Sequence, residues 1–181
     1  TDGSSWDVKN YVVAGMTQDE NGSIVIDANT AVAQVGSMGY TTLAAALDAA
    51  GDGDTVNLLK AYNATAEGNI SFNSGKKITL DLGGYTLTLS RFNLVHGQLT
   101  VQNGKVECSG QAFNVYAAPK NDESTDYYTK LTIAKDATVN ANYAVCLFPE
   151  PKSNYGANSA IEIYGKLESG GIFVSGNLGN D

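Results

Sequence analysis

The segment Ile78-Thr-Leu-Asp-Leu-Gly-Gly84 decides the fold, because its pattern returns three times along the chain. An apolar, a polar and an apolar residue are followed by a turn with Gly or Asp and then by another apolar residue. Side chains alternate across a β-strand, so each copy predicts a short strand with one buried face. The later copies are Leu99-Thr-Val-Gln-Asn-Gly-Lys-Val106, Leu131-Thr-Ile-Ala-Lys-Asp-Ala-Thr-Val139 and Ile161-Glu-Ile-Tyr-Gly-Lys-Leu167.

The spacing of these copies indicates stacked coils. Ile78 and Leu99 are 21 residues apart, and so are Phe92 and Phe113 in a second series of apolar segments. The later intervals are longer because each contains a polar insert, residues 118–129 and 149–158. Without about ten residues of each insert the period returns to about 20–22 residues, a length typical of one coil of a repeat protein. The sequence therefore predicts an all-β, parallel β-solenoid whose stacked coils share one core.

Alternation assigns apolar side chains to inward columns and polar ones to outward columns. The predicted inward columns are Ile78, Leu99, Leu131, Ile161; Leu80, Val101, Ile133, Ile163; Phe92, Phe113, Ala144, Ile172; Leu94, Val115, Cys146, Val174; and Val106, Val139, Leu167. The predicted outward columns are Thr79, Thr100, Thr132, Glu162; Asp81, Gln102, Ala134, Tyr164; Asn93, Asn114, Val145, Phe173; and Val95, Tyr116, Leu147, Ser175. The outer face with Val95, Tyr116, Val145, Leu147, Phe148 and Phe173 is apolar enough to be covered or to be an interaction surface.

One amphipathic helix is predicted at about residues 41–50. A Thr supplies the N-cap, Leu43 and Leu47 form one apolar stripe, and Gly51 follows the C-terminal end. Such a helix can cap the open N-terminal end of the solenoid. Residues 1–30 are predicted to be a leader with a small hairpin, in which Tyr11-Val-Val13 and Ser23-Ile-Val-Ile-Asp27 flank the turn Asp19-Glu-Asn-Gly22, and residues 31–181 the solenoid domain.

Composition excludes some partners. The net charge is −8 and Arg91 is the single arginine, so binding of nucleic acid is not expected. No apolar run approaches the ~20 residues that span a bilayer, so no membrane insertion of this segment is expected. Because the chain starts at Thr1 with no signal peptide, we interpret it as a mature or excised piece of a longer protein.

Residues 31–60 and Ile78-Thr-Leu-Asp-Leu-Gly-Gly-Tyr-Thr-Leu87 resemble a recurrent module of bacterial cell-surface, adhesin-like proteins. In that module a capping helix and a Gly-Asp-Gly-Asp-Thr turn lead into a right-handed parallel β-helix of the pectate-lyase-like superfamily. The resemblance implies export, a secreted or cell-surface location, and adhesion or contact with a glycan or a host or cell-surface protein. It also implies that residues 1–30 are the tail of an upstream module. Capping of the C-terminal β-helix edge by another domain or by self-association stays open.

Catalytic relatives of that superfamily cleave uronic-acid polysaccharides, which implies either a Ca²⁺-binding acid cluster or paired Asp residues. None of the four outward columns contains two acids. His96 is the only histidine and is interpreted as a turn residue, and Asp48, Asp52 and Asp54 as a helix-to-strand turn rather than a Ca²⁺ loop. No catalytic residue, metal ligand or cofactor is therefore predicted.

The two inserts carry the candidate binding residues. They leave the solenoid at the same corner of consecutive coils, and tyrosine rings beside amides and carboxylates can stack on a sugar and hydrogen-bond its hydroxyls. The candidates are Tyr127, Tyr128, Tyr155, Asn121, Asp122 and Asn158. A non-catalytic structural or adhesive module is the favoured function. The alternatives are a carbohydrate-binding module that uses these inserts and a polysaccharide lyase or hydrolase.

Overall fold

A computed structural model describes residues 12–116, 129–148, 159–168 and 170–174. It begins with strands β1 (Met16–Gln18), β2 (Ile24–Ile26), β3 (Ala33–Val35) and β4 (Met38–Tyr40), followed by helix α1 (Leu43–Ala49). Next come β5 (Thr55–Leu58), β6 (Tyr62–Asn63), a 3-10 helix (Ala64–Glu67), β7 (Asn69–Asp81), β8 (Thr86–Leu89) and β9 (Arg91–Gln102). The remaining strands are β10 (Gly104–Tyr116), β11 (Thr129–Ile133), β12 (Ala137–Phe148), β13 (Ser159–Ile163), β14 (Lys166–Glu168) and β15 (Gly171–Val174). The predicted all-β class is confirmed.

Strands β5 to β15 pair in three parallel series. The first series joins β5, β7, β9, β11 and β13, and the second joins β7, β9, β10, β12 and β15. The third series joins β6, β8, β10, β12 and β14. Long strands take part in two series, because β9, β10 and β12 each pair with different neighbours at their two ends. The chain visits the series in a constant order from β9 to β15.

The predicted columns of the first series are confirmed. Leu99 pairs with both Ile78 and Leu131, and Leu131 pairs with Ile161. The outward column shows the same register, since Thr79 and Thr100 pair, as do Thr100 and Thr132. In the second series Phe92 pairs with Phe113, and their ring centroids lie 5.8 Å apart. These apolar positions form one continuous core, which is buried because successive strands stack in register.

The predicted register of β12 is wrong by one residue. Phe113 pairs with Val145 rather than Ala144, and Val115 pairs with Leu147 rather than Cys146. Val145 is fully buried in the core and Leu147 packs against it, so neither belongs to the apolar outer face. Cys146 is also fully buried, but it pairs with Asn114 in the predicted outward column. A β-bulge between Cys108 and Gln111 inserts one extra residue into β10 and sets this register, whereas the predicted columns imply two extra residues.

Helix α1 covers the N-terminal end of the core, as predicted. Thr42 Oγ1 accepts a hydrogen bond from Ala45 N at 3.2 Å, and Leu43 and Leu47 are buried with Ala46. A second cap was not predicted: the Glu67 carboxylate accepts from Leu43 N at 3.0 Å and from Ala44 N at 2.8 Å. The 3-10 helix, which lies between β6 and β7, therefore ties the N-terminus of α1 to the parallel strands.

The leader contains the predicted hairpin. Strands β1 and β2 pair antiparallel, and Asp19 Oδ1 accepts from Ser23 N at 2.8 Å inside the turn. The first strand starts at Met16, so the expectation that residues 11–13 would form it is wrong for Val12 and Val13. Tyr11 lies outside the described residues. The boundary between residues 1–30 and 31–181 stays a prediction.

Candidate functional site

The six predicted binding residues lie outside the described residues. Tyr127, Tyr128, Asn121 and Asp122 belong to the first insert, and Tyr155 and Asn158 to the second.

The positions that flank the inserts are described, and they are neighbours. Tyr116 and Phe148 precede the two inserts and pair in parallel strands, and their rings stack with centroids 5.3 Å apart. Thr129, the last residue of the first insert, also pairs with Ser159, which follows the second insert. Thr129 is fully buried, and its hydroxyl donates to Val95 O at 3.2 Å. The inserts therefore start and end one strand spacing apart, about 4.8 Å.

A polar groove of about 290 Å³ lies on the outer surface of the third series. It opens beside the β10 bulge, where Asn142 Nδ2 donates to Ser109 O at 2.7 Å. The buried Cys108 thiol donates to Ser90 O at 3.3 Å and accepts from Gly110 N at 3.4 Å. The lining residues are Thr88, Glu107, Cys108, Ser109, Asn140, Ala141 and Asn142. Hydroxyl, amide and carboxylate groups dominate this lining and can donate to or accept from polar ligand groups.

The groove exposes an acidic column that the four predicted outward columns did not include. Glu107 pairs with Asn140, and Asn140 pairs with Glu168, so two acids share one column of the third series. Lys105 Nζ lies 3.0 Å from Glu107 Oε1 and 3.5 Å from Glu168 Oε2. The Lys166 ammonium, 2.8 Å from Glu168 Oε1, lowers the pKa of Glu168. The pattern Lys-x-Glu in both strands is the sequence signal that could have revealed this column.

Other outward carboxylates are also held in the charged form. The Lys130 ammonium lies 2.6 Å from Glu162 Oε1 and lowers the pKa of Glu162. Burial raises the pKa of Asp81, but hydrogen bonds from Gln102 Nε2, Gly83 N and Asn103 Nδ2 outweigh burial and lower it. These carboxylates are suited to accept hydrogen bonds near neutral pH rather than to donate a proton.

His96 lies in a strand, and the aspartates before β5 lie in a turn that their side chains stabilise. His96 lies within β9, not in a turn as predicted; it pairs with Asn73, where the register of β7 shifts. Asp54 Oδ2 accepts from Gly51 N at 2.7 Å, and Asp52 Oδ1 accepts from Lys77 N at 2.7 Å. These contacts fit the predicted helix-to-strand turn.

Within the described ranges, no group of three or more His, Cys, Asp or Glu side chains is placed to hold a metal ion. The same ranges contain no helix with the length and apolar content that crossing a membrane requires. No protein-family model, curated protein or solved structure matches the chain.

Proposed function

We propose that this chain is a non-catalytic module with a structural or adhesive role, built as a right-handed parallel β-helix and displayed on the surface of a bacterium. Export and surface display rest on the resemblance of residues 31–60 and 78–87. The fold rests on the stacked parallel registers, in which the chain returns to the same three series in constant order.

The observation that carries the proposal is the division between inward and outward columns. Leu99 and Val101 stack on apolar residues in both neighbouring strands, while Thr100 stacks on Thr79 and Thr132 between them. A regular face of short polar side chains is rigid and offers repeated contact points. Such a face suits a scaffold or an adhesive surface better than one reaction centre.

The charges on the outer surface support a non-catalytic role. Glycoside hydrolysis needs one carboxyl group with a raised pKa to donate a proton. Among the described residues, Glu107 and Glu168 share one outward column and are the two acids that such chemistry would use. Lys105 lies close to both of them. The pKa of Glu168 is lowered, which is opposite to the shift that a general acid needs.

Carbohydrate binding through the inserts is the second candidate. It is favoured by the paired positions at which the inserts start and end, since Tyr116 stacks on Phe148 and Thr129 pairs with Ser159. Neighbouring starting points allow side chains from both inserts to reach one ligand.

Display of the chain on a non-adherent bacterium tests the adhesive role. Attachment to glycan-coated and matrix-protein-coated surfaces should exceed that of cells displaying a sequence-scrambled chain. In parallel, the purified chain is incubated with polygalacturonate and Ca²⁺, and we expect no rise in the absorbance of unsaturated uronates or in reducing ends. Product formation that Glu107→Gln abolishes would replace the proposal with an enzyme at the polar groove.

A further inference from the structure

The outer face of the second series contains an unusual polar cluster, the Arg91 cluster, made of Arg91, Asn93 and Asn114. Arg91 opens β9 and Asn93 follows two residues later on the same side of the strand. Asn114 in β10 pairs with Asn93 and is only 1% exposed, whereas Arg91 and Asn93 are half-buried. Asn114 thus forms the buried floor of the cluster, and Arg91 forms its accessible charged edge.

Three polar atoms of the cluster are buried without a hydrogen-bond partner in the described part of the chain: Arg91 Nε, Asn93 Oδ1 and Asn114 Oδ1. Buried polar groups normally have partners, because an unpaired one loses its interaction with water and gains nothing in return. Three such atoms on adjacent positions are more than packing alone accounts for.

The side-chain amides of Asn93 and Asn114 can turn either the oxygen or the NH₂ group toward a ligand. Asn93 Nδ2 lies 3.5 Å from Ser71 Oγ, and Asn114 Nδ2 lies 3.3 Å from Gln111 Oε1. A hydroxyl or a second amide can donate or accept, so each Asn can turn its NH₂ group toward the cluster while keeping its neighbour. Together with Arg91, the cluster can then supply donors only, which is the requirement for an anion.

The charge of Arg91 is not neutralised by the described acids. Every ion pair in the described ranges is made by a lysine, although the chain has 19 acidic residues and one arginine. Burial raises the pKa of the Cys146 thiol and the nearby Arg91 guanidinium lowers it. Cys146 pairs with Asn114, so the positive charge of Arg91 acts on a residue beside the floor of the cluster.

We propose that the Arg91 cluster binds the carboxylate of a ligand that carries one negative charge on a ring-shaped group. A guanidinium and two amides can hold a planar carboxylate through several parallel hydrogen bonds. A doubly charged phosphate is disfavoured, because one cation faces a chain with a net charge of −8. Tyr116, two residues after Asn114, stacks on Phe148 on the same face and provides a wall for the ring.

This site deepens the proposed binding role but does not use the inserts. Loss of adhesion with intact carboxylate binding would count against the proposed function alone. Loss of carboxylate binding with intact adhesion would count against the Arg91 cluster alone.

The test is an NMR titration of the full chain, observing the Arg91 Nε–H and the side-chain NH₂ groups of Asn93 and Asn114. The probes are benzoate and glucuronate, with benzyl alcohol and glucose as uncharged counterparts and inorganic phosphate as a doubly charged competitor. We expect saturable shifts of these resonances with at least one carboxylate and none with its uncharged counterpart. Which carboxylate binds then distinguishes an aromatic from a sugar source.

Arg91→Gln should weaken binding by roughly ten-fold or more, the range expected for losing a charged hydrogen-bonding partner. Lys166→Gln is the matched control, because it also removes one positive charge and its side chain is 69% exposed on another face. Equal binding of the uncharged probes, tighter binding of phosphate, or equal weakening by Lys166→Gln would overturn the proposal. Absence of saturable shifts in the unaltered chain would overturn it even if Arg91→Gln failed to fold.

Discussion

Tyr116 stacks on Phe148 with ring centroids 5.3 Å apart and an angle of 20° between the ring planes. The two residues pair in the parallel strands β10 and β12, and each is followed by a polar insert. The described positions that precede the two inserts are therefore stacked neighbours.

If the inserts bind glycan, changing Tyr127→Ala with Tyr128→Ala should abolish retention on an immobilised polysaccharide. The melting curve should stay unchanged, because these residues lie outside the stacked core columns. Affinity chromatography and thermal melting measure the two effects. Tyr164→Ala is the control, since Tyr164 is 64% exposed but lies after β13. Unchanged retention of the double variant would exclude this pair as the binding site.

The core columns could be predicted because their signal is repeated. Each copy of the repeated segment contributes an apolar residue at the same position, so Ile78, Leu99, Leu131 and Ile161 could be aligned from the sequence alone. The sequence contains no repeated pattern that would reveal a β-bulge. Between Cys108 and Gln111, β10 uses one residue more than β12 uses, and the sequence pattern is equally apolar on either alignment. The predicted columns allowed two extra residues in β10 and therefore placed Ala144 and Cys146 where Val145 and Leu147 lie.

The polar sites were harder to predict, because their residues are distant in sequence and paired through side chains. Glu67 caps a helix that begins 24 residues earlier, and Lys105 bridges to Glu168 across two strands. Neither contact follows from strand alternation alone. Asn93 and Asn114 were predicted in one outward column and do pair, but the lack of partners for their side-chain oxygens depends on burial, which the sequence pattern does not reveal.

The register of β12 can be tested with two neighbouring substitutions. Val145→Asp would place an unpaired charge among Phe113 and other core residues and should destabilise the chain by about 3 kcal/mol or more. Cys146→Asp would place the carboxylate near Arg91, and a charge-assisted hydrogen bond should recover about 1–3 kcal/mol. Urea unfolding measures both. In the Arg91→Gln background that advantage should disappear. If Val145→Asp and Cys146→Asp lowered the free energy of unfolding equally in the chain that keeps Arg91, the register would be wrong.

Glu67 should stabilise the N-terminus of α1. Glu67→Ala removes the acceptor for Leu43 N and Ala44 N, and we expect a loss of about 1–2 kcal/mol. Glu20→Ala is the control, because Glu20 is an exposed acid in the leader turn. Chemical denaturation measures the loss. An equal effect of the two substitutions would contradict the capping role.

The same substitution should change the titration of Tyr62. Burial, with a smaller contribution from Glu67, raises the pKa of Tyr62 to about 12. Stability from the neutral phenol is therefore fully present below the unfolded-state pKa of about 10 and is lost as the pH rises toward 12. In Glu67→Ala the pKa of Tyr62 should fall but stay above the ordinary value, because burial remains. NMR of the labelled ring measures this, and an unchanged pKa would remove Glu67 from the explanation.

Asp81 should make stability depend on acid pH. Although burial raises its pKa, three hydrogen-bond donors lower it overall, so the carboxylate stabilises the folded state above the unfolded-state pKa of about 3.9. That contribution is lost as the pH falls through the lowered pKa of the folded state. Asp81→Asn should therefore cost about 1 kcal/mol at neutral pH and progressively less below pH 4. Melting temperatures of the variant and the unaltered chain, measured across this range, should converge.

Asp136→Asn is the control, because Asp136 is an exposed acid in the turn before β12. A cost of Asp81→Asn that stays constant with pH would show that packing of the turn, rather than the charge of Asp81, stabilises it.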